Sequence, residues 1–162
     1  MNELELSRIN TRSPYSVWKE DEAYLFKTDY DIVYAVSFDQ ENVRGFNAYW
    51  FNLANTSFKP SPNDKKIMQT IICIIEAFFQ CNPDILLYIC DTANDQQAQR
   101  DRLFLRWFNG YKQKQQYVLK TTMIMDEDEP NYLAMIVQKN NPNLQNIVDM
   151  FDKETEMFKS NK

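Results

Sequence analysis

The residues best suited to chemistry cluster between Cys90 and Arg102, where the sequence reads C-D-T-A-N-D-Q-Q-A-Q-R-D-R. An apolar segment, residues 85–90, comes just before and is typical of a buried strand, so the cluster begins where a strand ends and a helix starts. Ligands often bind at the carboxyl ends of such strands, and helix N-termini attract anions. The candidate ligand-binding residues are Asp91, Thr92, Asn94, Asp95, Arg100, Arg102 and Arg106. Their arginines could hold a phosphate or a carboxylate with two hydrogen bonds.

The same cluster also has a purely structural interpretation. Asp91, Thr92 and Asn94 are good helix caps, and the arginines can pair with Asp95 and Asp101 on a helix surface. Because capping and ion pairing explain every residue, the sequence favours this interpretation over a ligand site.

Composition excludes several other kinds of site. The 162 residues include no histidine, which removes His-based acid–base catalysis, Ser-His-Asp and Cys-His nucleophiles, and His-ligated metals. The two glycines, Gly45 and Gly110, are too few for a glycine-rich phosphate loop. A formal charge of −5 argues against a general nucleic-acid binder, which needs a basic surface.

Metal and cysteine chemistry are also disfavoured. The acidic segment from Asp126 to Glu129 lacks the spacing of a calcium-binding loop and is better explained as a solvated hairpin loop. The three cysteines, Cys73, Cys81 and Cys90, have no CxxC spacing, and nothing basic near Cys81 would activate its thiol. We therefore expect no metal, no cofactor and a reducing cytoplasmic location.

Aromatic side chains are dense between residues 15 and 51, and residues 47–53 (NAYWFNL) carry them on both faces of a predicted strand. Most of these rings should form a core. Any that remain exposed would be good anchors for a protein partner, and Trp18, Tyr49 and Trp50 are the candidates. The arginine face of the helix after the cluster is the other candidate surface.

The periodicity of the sequence predicts an α+β fold. Strands are expected at residues 15–19, 23–28, 32–39, 46–52, 85–90, 117–125 and 132–139, and helices at 62–80, 95–109 and from 141 onward. Ser61 and Pro62 predict the cap and first residue of the first helix. The order β-β-β-β-α-β-α-β-β-α favours one mixed, mostly antiparallel twisted sheet of six to seven strands with three helices.

The length and composition predict one domain over residues 14–160, after a flexible N-terminal arm over residues 1–13. The first residues lack the apolar core of a secretory signal, and no stretch approaches the apolar length of a membrane span. We therefore expect a protein without membrane association.

Two family resemblances follow from these residues. The string ILLYICDTANDQQAQRDRLFLRWFNGY, followed by two strands and NNPNLQNIVDMFD, resembles a family of short bacterial proteins of unknown function over residues 14–158. That resemblance implies no activity.

The order of elements over residues 24–139 is similar to the core of the GNAT acyltransferases. The loop that binds coenzyme A in that family is rich in glycine, and the matching residues 59–67, KPSPNDKKI, have none. Asn94 lies near the family's asparagine, but Phe104 stands where the family places a tyrosine acid and cannot donate a proton. This resemblance therefore implies a non-catalytic relative.

Two functional hypotheses result. The favoured one is a small non-catalytic binding or regulatory protein that acts through a protein partner or a second copy of itself. The alternative is a degenerate acyltransferase-like or anion- or nucleotide-binding enzyme that uses the cluster from Asp91 to Arg106. Nucleic-acid binding is a weaker third.

Overall fold

A computed structural model of the chain describes residues 1–90, 106, 108, 110, 116–126 and 129–160. Its strands are β1 (Val17–Glu20), β2 (Ala23–Lys27), β3 (Val33–Val43), β4 (Phe46–Asn55), β5 (Ile85–Cys90), β6 (Tyr117–Asp126) and β7 (Glu129–Gln138), and its helices over the described ranges are α1 (Leu6–Arg12), α2 (Lys65–Cys81) and α3 (Leu144–Ser160). The strands form one mixed, mostly antiparallel sheet in the order β1-β2-β3-β4-β5-β7-β6. The α+β class and the predicted order of elements are confirmed. Most of the helix predicted over residues 95–109 lies outside the described residues, although Arg106 and Phe108 are helical.

The chain packs as two compact units. The first contains Met1–Gln40 and Tyr49–Pro83, and the second contains Glu41–Ala48 and Asp84–Lys162. None of the helices in the described part of the chain has the length and hydropathy that a membrane span requires.

The core of the first unit is aromatic. The strand register places Val17, Phe26 and Tyr34 side by side on one face of the sheet, and all three are buried. Farther along the same face, the rings of Phe38 and Phe78 stack with centroids 5.0 Å apart, which places helix α2 over this face. Burial of large apolar side chains against a helix is the main source of stability in such a layer.

Helix α2 begins later than the sequence predicted. Its cap is Asp64, whose extended backbone (φ −140°) ends the loop and whose carboxylate accepts a hydrogen bond from Lys66 N at 3.0 Å. Ser61 instead donates to the carbonyl of Pro62 at 3.3 Å. The predicted cap at Ser61 is wrong. The Asp64 carboxylate lies closer to the apolar residues of α2 and accepts a hydrogen bond from a backbone N–H in the first turn of the helix.

A short helix, α1, lies within the predicted flexible arm. Its one buried residue is Ile9. Asn10 ties the helix to β1, because its side chain accepts from Val17 N at 2.7 Å and donates to Val17 O at 3.0 Å. Before the helix, Leu4 is buried and its N–H donates to the hydroxyl of Tyr24 at 3.0 Å.

The second unit is built on β5, β7 and β6. Strand β7 pairs antiparallel with both neighbours, and Ala134, Met135, Ile136 and Val137 are all buried, so both faces of this part of the strand are covered. Helix α3 contacts β6 through an ion pair between Lys120 and Asp152, 3.0 Å apart. The tip of the β3–β4 hairpin also belongs to this unit, and Arg44 at that tip pairs with Glu154 of α3 at 2.5 Å.

Candidate functional site

The cluster predicted to bind a ligand cannot be assembled from the described residues. Asp91, Thr92, Asn94, Asp95, Arg100 and Arg102 lie outside them. Arg106 is described, and its side chain is exposed on a helical segment. The ligand site therefore stays a prediction.

The three aromatic residues predicted as a partner surface do not lie together. Tyr49 is only 4% exposed, and its ring packs edge-on against Phe78 at 5.6 Å, so it belongs to the core and is not a surface anchor. Its burial follows from strand alternation, because Tyr49 and Phe51 both point toward α2. Trp50 must then point to the other face, where it is half-buried.

Trp18 lies on that same other face. It is 37% exposed, and the strand register aligns it with Leu25 of β2 and Ala35 of β3, both half-buried. We call this the open face, defined by Trp18, Leu25, Ala35 and Trp50. The two tryptophans lie on β1 and β4 with two strands between them, so they form no continuous anchor.

The most unusual side chain of the first unit is Phe58, in the loop of residues 55–60 between β4 and α2. It is 95% exposed, and its backbone has φ +56°. Bulky residues without a hydrogen-bonding side chain rarely adopt this left-handed conformation, which costs about 1–2 kcal/mol. The chain thus holds a large apolar ring in water on a strained backbone, and folding gains nothing from either feature.

Hydrogen bonds on both sides of Phe58 hold the loop in this shape. Thr56 donates to Val33 O from its N–H and its hydroxyl, both at 2.8 Å, and Val33 N donates to Ser57 Oγ at 3.0 Å. Within the loop, Asn55 donates to Lys59 O at 2.8 Å and accepts from Ser57 N at 3.0 Å. Phe58 is therefore presented on a braced loop.

A second exposed aromatic residue, Tyr30, lies on the neighbouring turn of residues 28–32 and is 55% exposed. This turn leads directly into Val33, the residue to which the 55–60 loop is bonded. Asp29 also anchors the turn to α2, because its carboxylate lies 2.9 Å from Lys66 Nζ. We call these two connected segments, residues 28–33 and 55–60, the aromatic end of the first unit.

The polar groups beneath the aromatic end are structural. The hydroxyl of buried Tyr15 donates to Asp64, the cap of α2, and accepts from Asp29 N at 3.3 Å. Burial, reinforced by the hydrogen bond to Asp64, raises the pKa of Tyr15 to about 12. A phenol with that pKa stays protonated near neutral pH, so it serves as a fixed hydrogen-bond donor.

Two lysines next to the aromatic end keep their charges available. Lys59 follows Phe58 and Lys65 begins α2, and both are exposed. Of the residues that the structure describes, no carboxylate forms an ion pair with either one. The aromatic end thus combines exposed rings with the exposed Lys59, while its own carboxylates, Asp29 and Asp31, pair with Lys66 and Lys27.

A separate cavity of about 250 Å³ lies between α1 and α2. Arg12 reaches across it to the buried carboxylate of Glu76 at 3.1 Å. Burial raises the pKa of Glu76, which Arg12 opposes, and burial also raises the pKa of the half-buried Cys73 thiol. A thiol whose pKa is raised is a weaker nucleophile near neutral pH, so in the described lining of this cavity the main polar feature is the ion pair between Arg12 and Glu76.

Sequence reasoning missed Phe58, which lies in the connection between the strand predicted at 46–52 and the helix predicted at 62–80. A signal was present: Phe58 is the one apolar residue in the segment N-T-S-F-K-P-S-P-N-D, residues 55–64, apart from the prolines. A lone aromatic residue in a polar connection has no core to join. Its positive φ could not be seen in the sequence.

Comparison with known proteins identifies a family but no activity. Residues 63–153 match a family described as "Family of unknown function (DUF6169)". The chain belongs to this family. Membership in a family of unknown function is thus confirmed, whereas the GNAT resemblance is not. The DUF6169 match begins after Phe58, so the argument for that residue rests on this chain's own structure. No curated protein and no solved structure significantly matches the chain.

Proposed function

We propose that this DUF6169 protein is a small non-catalytic binding protein that acts through a protein partner, with Phe58 as the anchor. The observation that carries this proposal is an almost fully exposed phenylalanine at φ +56° on a hydrogen-bonded loop. Neither its exposure nor its backbone helps the chain to fold. Local strain that a fold maintains is commonly found at binding sites.

The physics of recognition supports this role for Phe58. Buried aromatic anchors contribute a large share of binding energy, and a braced loop loses little entropy when its partner binds. The partner should offer an apolar pocket for the Phe58 ring. Carboxylates around that pocket would complement Lys59 and Lys65.

A protein partner fits better than a membrane or a nucleic acid. Both of those carry dense negative charge, and the chain has a formal charge of −5. Lys59 in the aromatic end and Lys65 beside it supply too little attraction to overcome that repulsion. A cytoplasmic location is part of the proposal, and the free thiols of Cys73 and Cys81 support it.

The alternative, an anion- or nucleotide-binding or degenerate acyltransferase-like enzyme at Asp91 to Arg106, gains no support from the described residues. It would be favoured if a small anion or nucleotide co-purified with the protein and was lost with Arg102→Ala.

The test is affinity capture from the native cell with the wild-type chain, Phe58→Ala and the control Trp18→Ala. The control removes an exposed aromatic residue from the open face and leaves the aromatic end intact. We expect one protein to be captured in stoichiometric amount by the wild type and by Trp18→Ala. Its affinity for purified Phe58→Ala should fall about 30-fold or more, as for an anchor worth about 2 kcal/mol. Equal binding by Phe58→Ala, or loss only with Trp18→Ala, would contradict the role of Phe58.

A further inference from the structure

Strand β6 is an end strand of the sheet, and among the described residues the strand itself carries few of the features that protect such an edge. It is ten residues long, contains no proline, and pairs with β7 without a skipped residue from Tyr117 opposite Gln138 to Asp126 opposite Glu129. Proteins commonly shield a free edge with short strands, prolines, bulges or lysines. None of the first three is present in β6.

The fourth device, charge, is also weak in β6. Lys120 is the one lysine in the strand, and the carboxylate of Asp152 lies 3.0 Å from its ammonium group. The opposite edge of the sheet provides a contrast within the same chain. Strand β1 there has only four residues, and Lys19 and Glu20 are two of them. Within the residues that the structure describes, β1 is thus short and charged, whereas β6 carries none of these features apart from the paired Lys120.

The middle of β6 also presents side chains suited to burial. Thr121 and Met123 are exposed, and Met123 is 48% exposed beside the similarly exposed Tyr132 on β7. Threonine and large apolar side chains are favourable in cross-strand pairs.

We propose that β6 pairs antiparallel with β6 of a second copy of this chain, across a twofold axis at Thr121. In that register Thr121 faces Thr121 of the second copy, Lys120 faces Thr122, and Leu119 faces Met123. No like charges are directly opposed, and every facing pair has β-branched or apolar character except at Lys120. A self-complementary strand whose own described residues do not protect its edge favours a second copy over a foreign strand.

The test uses sedimentation velocity and light scattering on the full chain over a wide range of concentration. The wild type should have twice the chain mass of 19.4 kDa. Thr121→Lys places two ammonium groups opposite each other at the axis, and the dimer should weaken by about a hundredfold. Thr121→Val keeps the shape and β propensity of the residue and should stay dimeric. Gln145→Lys adds the same charge on exposed α3 and should also stay dimeric.

Hydrogen exchange then locates the interface. Amides of residues 117–125 should exchange more slowly in the wild-type dimer than in monomeric Thr121→Lys. At concentrations low enough for both proteins to be monomeric, the wild type and Thr121→Lys should unfold at the same urea concentration. The proposal is overturned by a wild type of 19.4 kDa at every concentration. It is also overturned by a dimer that survives Thr121→Lys or dissociates with Thr121→Val or Gln145→Lys. Loss of partner capture with Phe58→Ala bears on the proposed function and leaves this result unchanged.

Discussion

Replacing Phe58 with asparagine should make the protein more stable and at the same time abolish its proposed binding. Phe58 adopts φ +56°, a conformation that asparagine tolerates far better than phenylalanine does. The side chain makes no contribution to the core that the substitution could remove, because it is 95% exposed. The hydrogen bonds that hold the loop come from Asn55, Thr56 and Ser57, and all of these remain.

The expected gain follows from these terms. Left-handed backbone costs an ordinary L-residue about 1–2 kcal/mol, and asparagine recovers part of this cost. The substitution changes the apolar area buried on folding very little, because the Phe58 side chain is almost fully exposed. We therefore expect Phe58→Asn to raise the free energy of unfolding by about 1 kcal/mol. For a chain of this size that corresponds to about 2–4 °C in Tm.

Urea unfolding followed by circular dichroism measures this difference. The midpoint should rise with an unchanged m-value, because the surface exposed on unfolding is nearly the same. Phe58→Ala is the matched control: it removes the ring but keeps a Cβ on the strained backbone, so its stability should stay within about 0.5 kcal/mol of the wild type. A loss of stability in Phe58→Asn would refute the reasoning, because it would mean that the ring contributes to the fold.

Three further predictions concern the first unit. Tyr15→Phe removes the hydrogen bond to Asp64 and should lower the free energy of unfolding by about 1 kcal/mol at neutral pH. Because the pKa of Tyr15 is raised to about 12, the stability of the wild type should also fall as the pH rises from about 10 to 12. The same fall in Tyr15→Phe, measured by urea unfolding at alkaline pH, would contradict this. The raised pKa of Glu76 means that ionisation of its carboxyl group opposes folding. The stability of the wild type, measured relative to Glu76→Gln, should therefore decline as the pH rises through the titration range of that carboxyl group. An increase over the same range would show that the ion pair with Arg12 outweighs the cost of burial. Phe78→Ala should cost about 3–5 kcal/mol in thermal or urea unfolding, and a loss below 1 kcal/mol would contradict the central place of this ring.

Much of the fold was predictable because its patterns are local. Ile32, Tyr34, Val36 and Phe38 alternate along the strand predicted at residues 32–39, and all except the half-buried Phe38 are buried. The continuous apolar run from Ile85 to Cys90 predicted a strand covered on both faces; Ile85 to Tyr88 are buried, whereas Ile89 is 46% exposed.

Other features depend on tertiary contacts that a pattern does not show. Helix α1 has no side-chain cap and one buried residue, and it is held by distant groups such as Val17 and Gln80. The burial of Tyr49 depended on which face of β4 meets α2. Alternation separates Tyr49 from Trp50, but it does not say which one turns inward.

The candidate site was the least predictable part. Phe58 is identified by its exposure and its positive φ, and neither property can be predicted from the residue type alone.

The most direct test of the central claim is photo-crosslinking in the native cell. A photoreactive amino acid is placed at position 58, or at the exposed control position 145 on α3. We predict one discrete crosslinked protein from position 58 that is absent from position 145, because the ring at 58 enters a pocket on a single partner. No crosslinked protein from position 58, or the same products from both positions, would contradict the claim that this chain acts through a partner bound at Phe58.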